Sequence, residues 1–99
     1  MKAHTFHPEA DEEYALAAAH YADIGSTLGG RFYDEIERLI AEACAAPHRF
    51  RRIDGDVRRL LAGDFPFALL YLDEPDRVWI VAVMPLKRDP DYWKHRLTN

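Results

Sequence analysis

The chain has 99 residues, a net charge of −4 and 48% hydrophobic residues. A chain of this length and composition folds as one domain around a single core, which excludes an intrinsically disordered protein. No apolar run approaches the roughly 20 residues of a membrane span, and the N-terminus lacks a signal pattern. We therefore expect a cytoplasmic protein that does not contact a membrane.

The charge is unevenly distributed along the chain. Residues 1–47 carry three Lys or Arg against nine Asp or Glu, whereas residues 48–99 carry ten against eight. The uniform basic field that is typical of nucleic-acid binding is therefore missing. Five arginines lie between Arg49 and Arg59. They leave two interpretations open, a local basic patch on an acidic body or a solvated surface of mixed charge.

The N-terminal half predicts one strand and two helices. Residues 2–7 alternate weakly, which favours a short strand. Pro8 then opens a helix that ends near Asp23–Gly25, and Ser26 caps a second helix that Pro47 ends. The short connection requires an antiparallel helical hairpin. The apolar stripes comprise Ala10, Tyr14, Ala17, Tyr21 and Ile24 in the first helix, and Leu28, Phe32, Ile36, Leu39, Ile40 and Ala43 in the second.

Two further features of the helices follow from single residues. Gly29 and Gly30 weaken the second helix by roughly 1 kcal/mol each relative to alanine, and they allow close approach to the first helix. Cys44 is the single cysteine, which excludes an internal disulfide and a cysteine metal cluster. Its place in a helical pattern is consistent with a small core residue or with a reactive thiol.

The C-terminal half predicts a loop over 48–57 and then three strands. The strands are Val57–Ala62, Phe65–Leu72 and Arg77–Met84, and their short connections favour an antiparallel meander. A helical turn over Asp91–Leu97 follows, with Trp93 as the anchor of this tail on the sheet. The predicted fold class is therefore α+β, with a helical hairpin packed on an antiparallel sheet of about four strands. Ile80 should be buried, and Trp79 should be better protected than Trp93.

The tail is the segment richest in groups that carry chemistry. Cations, a phenol and an imidazole could cleave RNA without a metal, because this reaction needs a base, an acid and cations on the phosphate. The alternative is that the arginines simply pair with nearby carboxylates. No phosphate-binding glycine loop, zinc or calcium spacing occurs in the sequence, so we expect no metal and no cofactor. The tail groups are Lys87, Arg88, Tyr92, Lys94, His95 and Arg96.

Four pieces of the chain follow one another in this order: FHPEADEEY at Phe6–Tyr14, RFYDEIERL at Arg31–Leu39, FPFALLY at Phe65–Tyr71 and KRDPDYWKHR at Lys87–Arg96. Together they closely resemble the RelE/ParE superfamily of toxins from bacterial type II toxin–antitoxin systems, once called plasmid stabilisation proteins. The resemblance covers nearly the whole chain. It implies a helical hairpin on an antiparallel sheet, a single toxin domain over residues 1–99, and a cognate antitoxin protein as the partner.

The superfamily implies two different activities. RelE-like members cleave mRNA on the ribosome, whereas ParE-like members inhibit DNA gyrase and have no known hydrolytic site. The ribonuclease branch is strongly basic and carries an arginine where this acidic chain has Ala68. Lys87 and Arg88 match its basic residues, and Tyr92 could replace its tail tyrosine.

We therefore interpret the chain as a ParE-like toxin, or as a member whose toxicity has decayed. One alternative is a ribosome-dependent endoribonuclease that uses Arg88, Lys87, Tyr92 and His95, and another is a non-toxic interaction module.

The partner is expected to be an antitoxin segment that folds on binding. We expect it to be acidic and amphipathic, with its apolar side in an exposed groove formed by Leu69, Tyr71, Trp79 and Val81. Its carboxylates would contact the nearby arginines. The toxin would assemble as a homodimer or as a toxin–antitoxin heterotetramer. The residues predicted to bind the antitoxin or target are Arg49, Arg51, Arg52, Arg58, Arg59, Tyr71 and Arg88.

Overall fold

A computed structural model describes residues 1–97. One strand precedes two helices, and four strands and a short 3₁₀ helix follow. The elements are β1 His4–Phe6, α1 Pro8–Ile24, α2 Ser26–Ala45, β2 Arg52–Asp54, β3 Val57–Leu61, β4 Phe67–Asp73, β5 Val78–Pro85 and the 3₁₀ helix Lys94–Leu97. The predicted helical turn in the tail is thus present, but as a 3₁₀ helix that begins at Lys94.

The five strands form one mixed sheet in the order β1-β5-β4-β3-β2. The meander from β3 to β5 is antiparallel as predicted, and β2 extends it by one antiparallel strand, but β1 pairs with β5 in parallel, with Phe6 opposite Ile80. A parallel pair needs a long crossover, which the helical hairpin and the meander provide. The fifth strand, β2, lies within the segment predicted as a loop. A three-residue strand with a single apolar residue, Ile53, is too short to show an alternation by which the sequence could reveal it.

The helices pack closely where Gly29 of α2 faces Ala22 of α1. A Cβ atom on Gly29 would lie 2.8 Å from the Cα of Ala22, so the predicted close approach is confirmed at Gly29 but not at Gly30, where a Cβ atom would meet no atom of residues 1–97 within 4 Å outside its own stretch of helix. Gly25 caps both helices, and α2 therefore begins at Ser26 instead of being capped by it. The stripe predicted for α1 is wrong at Ile24, which lies in the last turn of the helix and is 62% exposed.

The helical hairpin covers one face of the sheet. The core on this face combines the apolar stripes of both helices with inward side chains of the strands, and Ile80 is fully buried as predicted. Cys44 belongs to this core, and burial raises the pKa of its thiol. These observations favour the interpretation of Cys44 as a core residue.

The tail covers the opposite face of the sheet. Trp93 is 1% exposed and packs on Leu70, Val81 and neighbouring residues, so its predicted role as an anchor is confirmed. Trp79 remains half-buried at the rim of this second core. The prediction that Trp79 is the better protected tryptophan is therefore wrong, because the tail brings its own indole over a sheet face that the helices leave open. Across residues 1–97, no helix is long and apolar enough to cross a membrane.

Candidate functional site

A β-bulge in β5 organises the contacts of the tail. Leu70 lies opposite Ala82 whereas Tyr71 lies opposite Ile80, which leaves Val81 as an extra residue. β1 ends at this point, where the backbone N–H of His7 donates to the Ile80 carbonyl at 2.9 Å. Beyond it, the edge of β5 needs other hydrogen-bond partners.

Two side chains replace β1 along this edge. The Glu13 carboxylate of α1 accepts a hydrogen bond from the Val83 N–H at 3.2 Å, and the Arg96 guanidinium donates to the Val81 carbonyl at 3.0 Å. Glu13 and Arg96 also pair with each other through the two terminal guanidinium nitrogens, Nη1 and Nη2, at 2.8 and 3.0 Å. This arrangement joins α1, β5 and the tail.

Tyr92 completes the cluster around Glu13. Its hydroxyl donates to the Glu13 carboxylate, and its ring lies 4.0 Å from the Arg88 guanidinium and 5.0 Å from that of Arg96. Burial and the hydrogen bond to Glu13 raise the pKa of the Tyr92 hydroxyl. A phenol that donates to a carboxylate and resists deprotonation is a poor general base.

The other candidate catalytic groups of the tail are more exposed. Lys87 and Arg88 lie on the surface after β5. His95 contacts the Glu9 carboxylate at 3.0 Å through Nε2 and the Tyr92 carbonyl at 3.0 Å through Nδ1. The hydrogen bond from His95 lowers the pKa of Glu9. Arg88 thus lies beside Tyr92, as a shared site requires. Both Tyr92 and His95, however, make contacts that hold the tail in place.

The arginines predicted to bind a partner lie around β2, β3 and the loop before them. Arg58 is partly structural, because its guanidinium donates to the carbonyls of His48 and Phe50 at 3.0 and 2.8 Å. Arg49 lies over the ring of Phe50 at 5.2 Å. Within residues 1–97, none of these five arginines pairs with a carboxylate, whereas Arg31, Arg38, Arg77 and Arg96 all do. The five are Arg49, Arg51, Arg52, Arg58 and Arg59, and we call them the basic rim.

Tyr71 is placed differently from its prediction. Its side chain is fully buried in the core under the helices, and its hydroxyl donates to the Pro47 carbonyl at 2.6 Å. Leu69 and Val81 are also fully buried, the latter in the core with Trp93. The predicted exposed groove is therefore wrong, because the hairpin and the tail together cover both faces of the sheet. Of its four members, only Trp79 reaches the surface.

No family model matches the chain, and no curated protein matches it. A chain of the solved structure described as the chromosomal ParDE TA (toxin–antitoxin) system from P. aeruginosa is similar, with a TM-score of 0.74. The similarity covers 88% of this chain and 98% of that chain, at 14% sequence identity. The chain therefore has a ParE/RelE-type α+β fold. This finding confirms the fold and the structural resemblance predicted from the four sequence pieces.

Sequence reasoning missed the residue at the centre of the cluster. Glu13 belongs to the first piece of the RelE/ParE resemblance and Arg96 to the last, yet nothing in either piece shows that they meet. The available signal was a carboxylate near the start of α1 and an arginine in a tail that must return to the sheet. In this ParE/RelE-type fold, the first helix and the tail flank the same strand edge.

Within residues 1–97, no cluster of His, Cys, Asp and Glu could hold a metal ion.

Proposed function

We propose that this protein is the toxin of a type II toxin–antitoxin pair, that a cognate antitoxin neutralises it, and that it inhibits a target such as DNA gyrase. The observation that carries this proposal is the fold shared with the ParDE structure over 88% of the chain. The basic rim adds support, since uncompensated arginines on a chain of net charge −4 suit an acidic protein partner. In the cytoplasm, the toxin assembles either as a homodimer or with its antitoxin as a heterotetramer.

The tail geometry favours the ParE-like activity over the ribonuclease. Tyr92 donates to Glu13, and Arg96 is committed to Glu13 and to the Val81 carbonyl. Ala68, at the place of the ribonuclease arginine, is fully buried and offers no cation. Lys87 and Arg88 lie on the surface, and so does His95, whose imidazole contacts the Glu9 carboxylate. Both Tyr92 and His95 are engaged in contacts that hold the tail, which weakens the case for an RNA-cleaving site.

Controlled expression in a bacterial host tests this proposal. We expect growth arrest that co-expression of the product of the adjacent reading frame relieves. The purified protein should inhibit DNA supercoiling by gyrase, and mRNA on translating ribosomes should remain intact. Cuts at codon positions that disappear with Arg88→Ala would establish the ribonuclease instead. Normal growth at confirmed expression levels would leave the non-toxic interaction module as the better interpretation.

A further inference from the structure

A cleft of about 360 Å³ opens between α2 and the outer part of β3. Its apolar wall consists of Leu39, Phe50, Leu60 and Leu61, and two members of the basic rim, Arg51 and Arg59, line it as well. Leu61 is 54% exposed, although its neighbour Leu60 is buried in the core. The cleft therefore places an exposed leucine directly beside two cations.

The cleft carries two positive charges that no carboxylate of its own lining neutralises. Arg38 and Glu42 of α2, which also line it, pair with each other. Arg51 and Arg59 have no carboxylate partner within residues 1–97. A ligand that supplies carboxylates would therefore gain charge-assisted hydrogen bonds without breaking an existing ion pair.

The backbone of β3 offers a strand edge at the same place. The Ala62 N–H donates to the Phe67 carbonyl on the β4 side, so the N–H and C=O of Leu61 point to the opposite, outer side. On this outer side, the Arg59 N–H donates to the Arg51 carbonyl, and the Gly63 N–H donates to the Glu35 carboxylate at 2.6 Å. Leu61 lies between Arg59 and Gly63, whose outward N–H groups already have partners. It also lies past Arg52, the first residue of β2, which pairs with Arg58.

We propose that this cleft binds an extended, acidic segment of the antitoxin. The segment pairs its backbone with Leu61 at the outer edge of β3, places apolar side chains against Phe50 on the helix side of the sheet, and directs carboxylates to Arg51 and Arg59. This proposal rests on the proposed function. It moves the partner site from the sheet face around Tyr71 to the sheet edge.

Amide chemical-shift mapping on the ¹⁵N-labelled protein tests the site. The probe is a short peptide of alternating glutamate and leucine, blocked at both ends, and the control is the matching lysine–leucine peptide. We expect shifts concentrated at Arg51, Arg59 and Leu61, and binding weakened about tenfold or more by Leu61→Asp. Leu16→Asp is the matched control, because Leu16 is a surface leucine on α1 and is 65% exposed. Arg59→Ala should lower the association rate and its salt dependence, whereas Arg31→Ala should not.

Three outcomes would overturn the proposal. They are the absence of site-specific shifts, equal binding of the lysine–leucine peptide, and tighter binding of polyuridine RNA to the same residues. Experiments with the product of the adjacent reading frame distinguish a failure of the proposed cleft from a failure of the proposed function. If it neutralises the toxin and still binds Leu61→Asp with full affinity, the cleft is wrong and the proposed function stands. If it does not neutralise the toxin, the proposed function fails, and the peptide shifts alone then decide whether the cleft binds acidic segments.

Discussion

Glu13 and Arg96 form an ion pair through two parallel hydrogen bonds, although they lie at opposite ends of the chain. The Arg96 side chain is 4% exposed and that of Glu13 is 16% exposed. Each also bonds to the β5 backbone, where β1 no longer does. Burial lowers the pKa of Arg96, but the hydrogen bonds to Glu13 and nearby negative charges outweigh it, so the net shift is upward. The pair thus closes a strand edge and fastens the tail.

Breaking this pair should destabilise the protein strongly. Arg96→Ala leaves the Glu13 carboxylate buried without its cation, which typically costs about 3–5 kcal/mol. Arg38→Ala is the matched control, because Arg38 is exposed and its pairs with Glu35 and Glu42 should contribute about 0–1 kcal/mol. Urea unfolding measures both free energies. Equal losses in the two variants would show that the Glu13–Arg96 pair does not fasten the tail.

Trp93 should be the better protected of the two tryptophans. It is 1% exposed beneath the tail, whereas Trp79 is half-buried at the rim, with the Arg77 guanidinium 4.2 Å from its ring. Acrylamide quenching of the single-tryptophan variants Trp79→Phe and Trp93→Phe measures the difference. We expect weaker quenching when Trp93 is the remaining fluorophore. The reverse order would mean that the tail does not cover the sheet in solution.

The contact between Gly29 and Ala22 should make position 29 intolerant of any side chain. A Cβ atom there would lie 2.8 Å from backbone of the facing helix, so Gly29→Ala should force the helices apart and cost about 1–3 kcal/mol. Gly30→Ala is the control, since a Cβ atom there would meet nothing within 4 Å outside its own stretch of helix among residues 1–97, and alanine should stabilise the helix by roughly 0.5–1 kcal/mol. Thermal unfolding of both variants should therefore shift in opposite directions. A stabilising Gly29→Ala would contradict the observed helix packing.

Stability should decline at alkaline pH, in part because of Tyr71. Burial raises the pKa of its hydroxyl to about 12, whereas an unfolded tyrosine titrates near about 10. The folded state therefore holds this proton when the unfolded state has lost it. The contribution of Tyr71 is complete below about pH 10 and is lost as the pH rises towards about 12.

Tyr71→Phe removes this titration together with the hydrogen bond to Pro47. The variant should lose about 0.5–1.5 kcal/mol at neutral pH and should decline less steeply above about pH 10. Tyr33→Phe is the control, because Tyr33 is 52% exposed. Urea unfolding across this pH range measures the effect. An unchanged alkaline slope in Tyr71→Phe would exclude Tyr71 as its source.

Several features of the fold could be predicted from the sequence because they depend on neighbours along the chain. Pro8 and Gly25 bound α1, the apolar spacing defines the helix faces, and short connections make β3, β4 and β5 an antiparallel meander. These signals act within a few residues, where backbone geometry and hydrogen bonding are local. The same logic fails for β2, whose three residues carry no period.

The tertiary structure alone decided what the surface offers. Both faces of the sheet are apolar, so the sequence could not tell what covers each face: the hairpin covers the face with Tyr71, and the tail covers the face with Val81. Tyr71 and Trp93 are therefore buried, while Leu61 remains exposed at a strand edge. The Glu13–Arg96 pair likewise depends on where β1 ends beside β5. Such contacts join residues far apart in sequence, and only the three-dimensional path of the chain determines which buried polar groups meet.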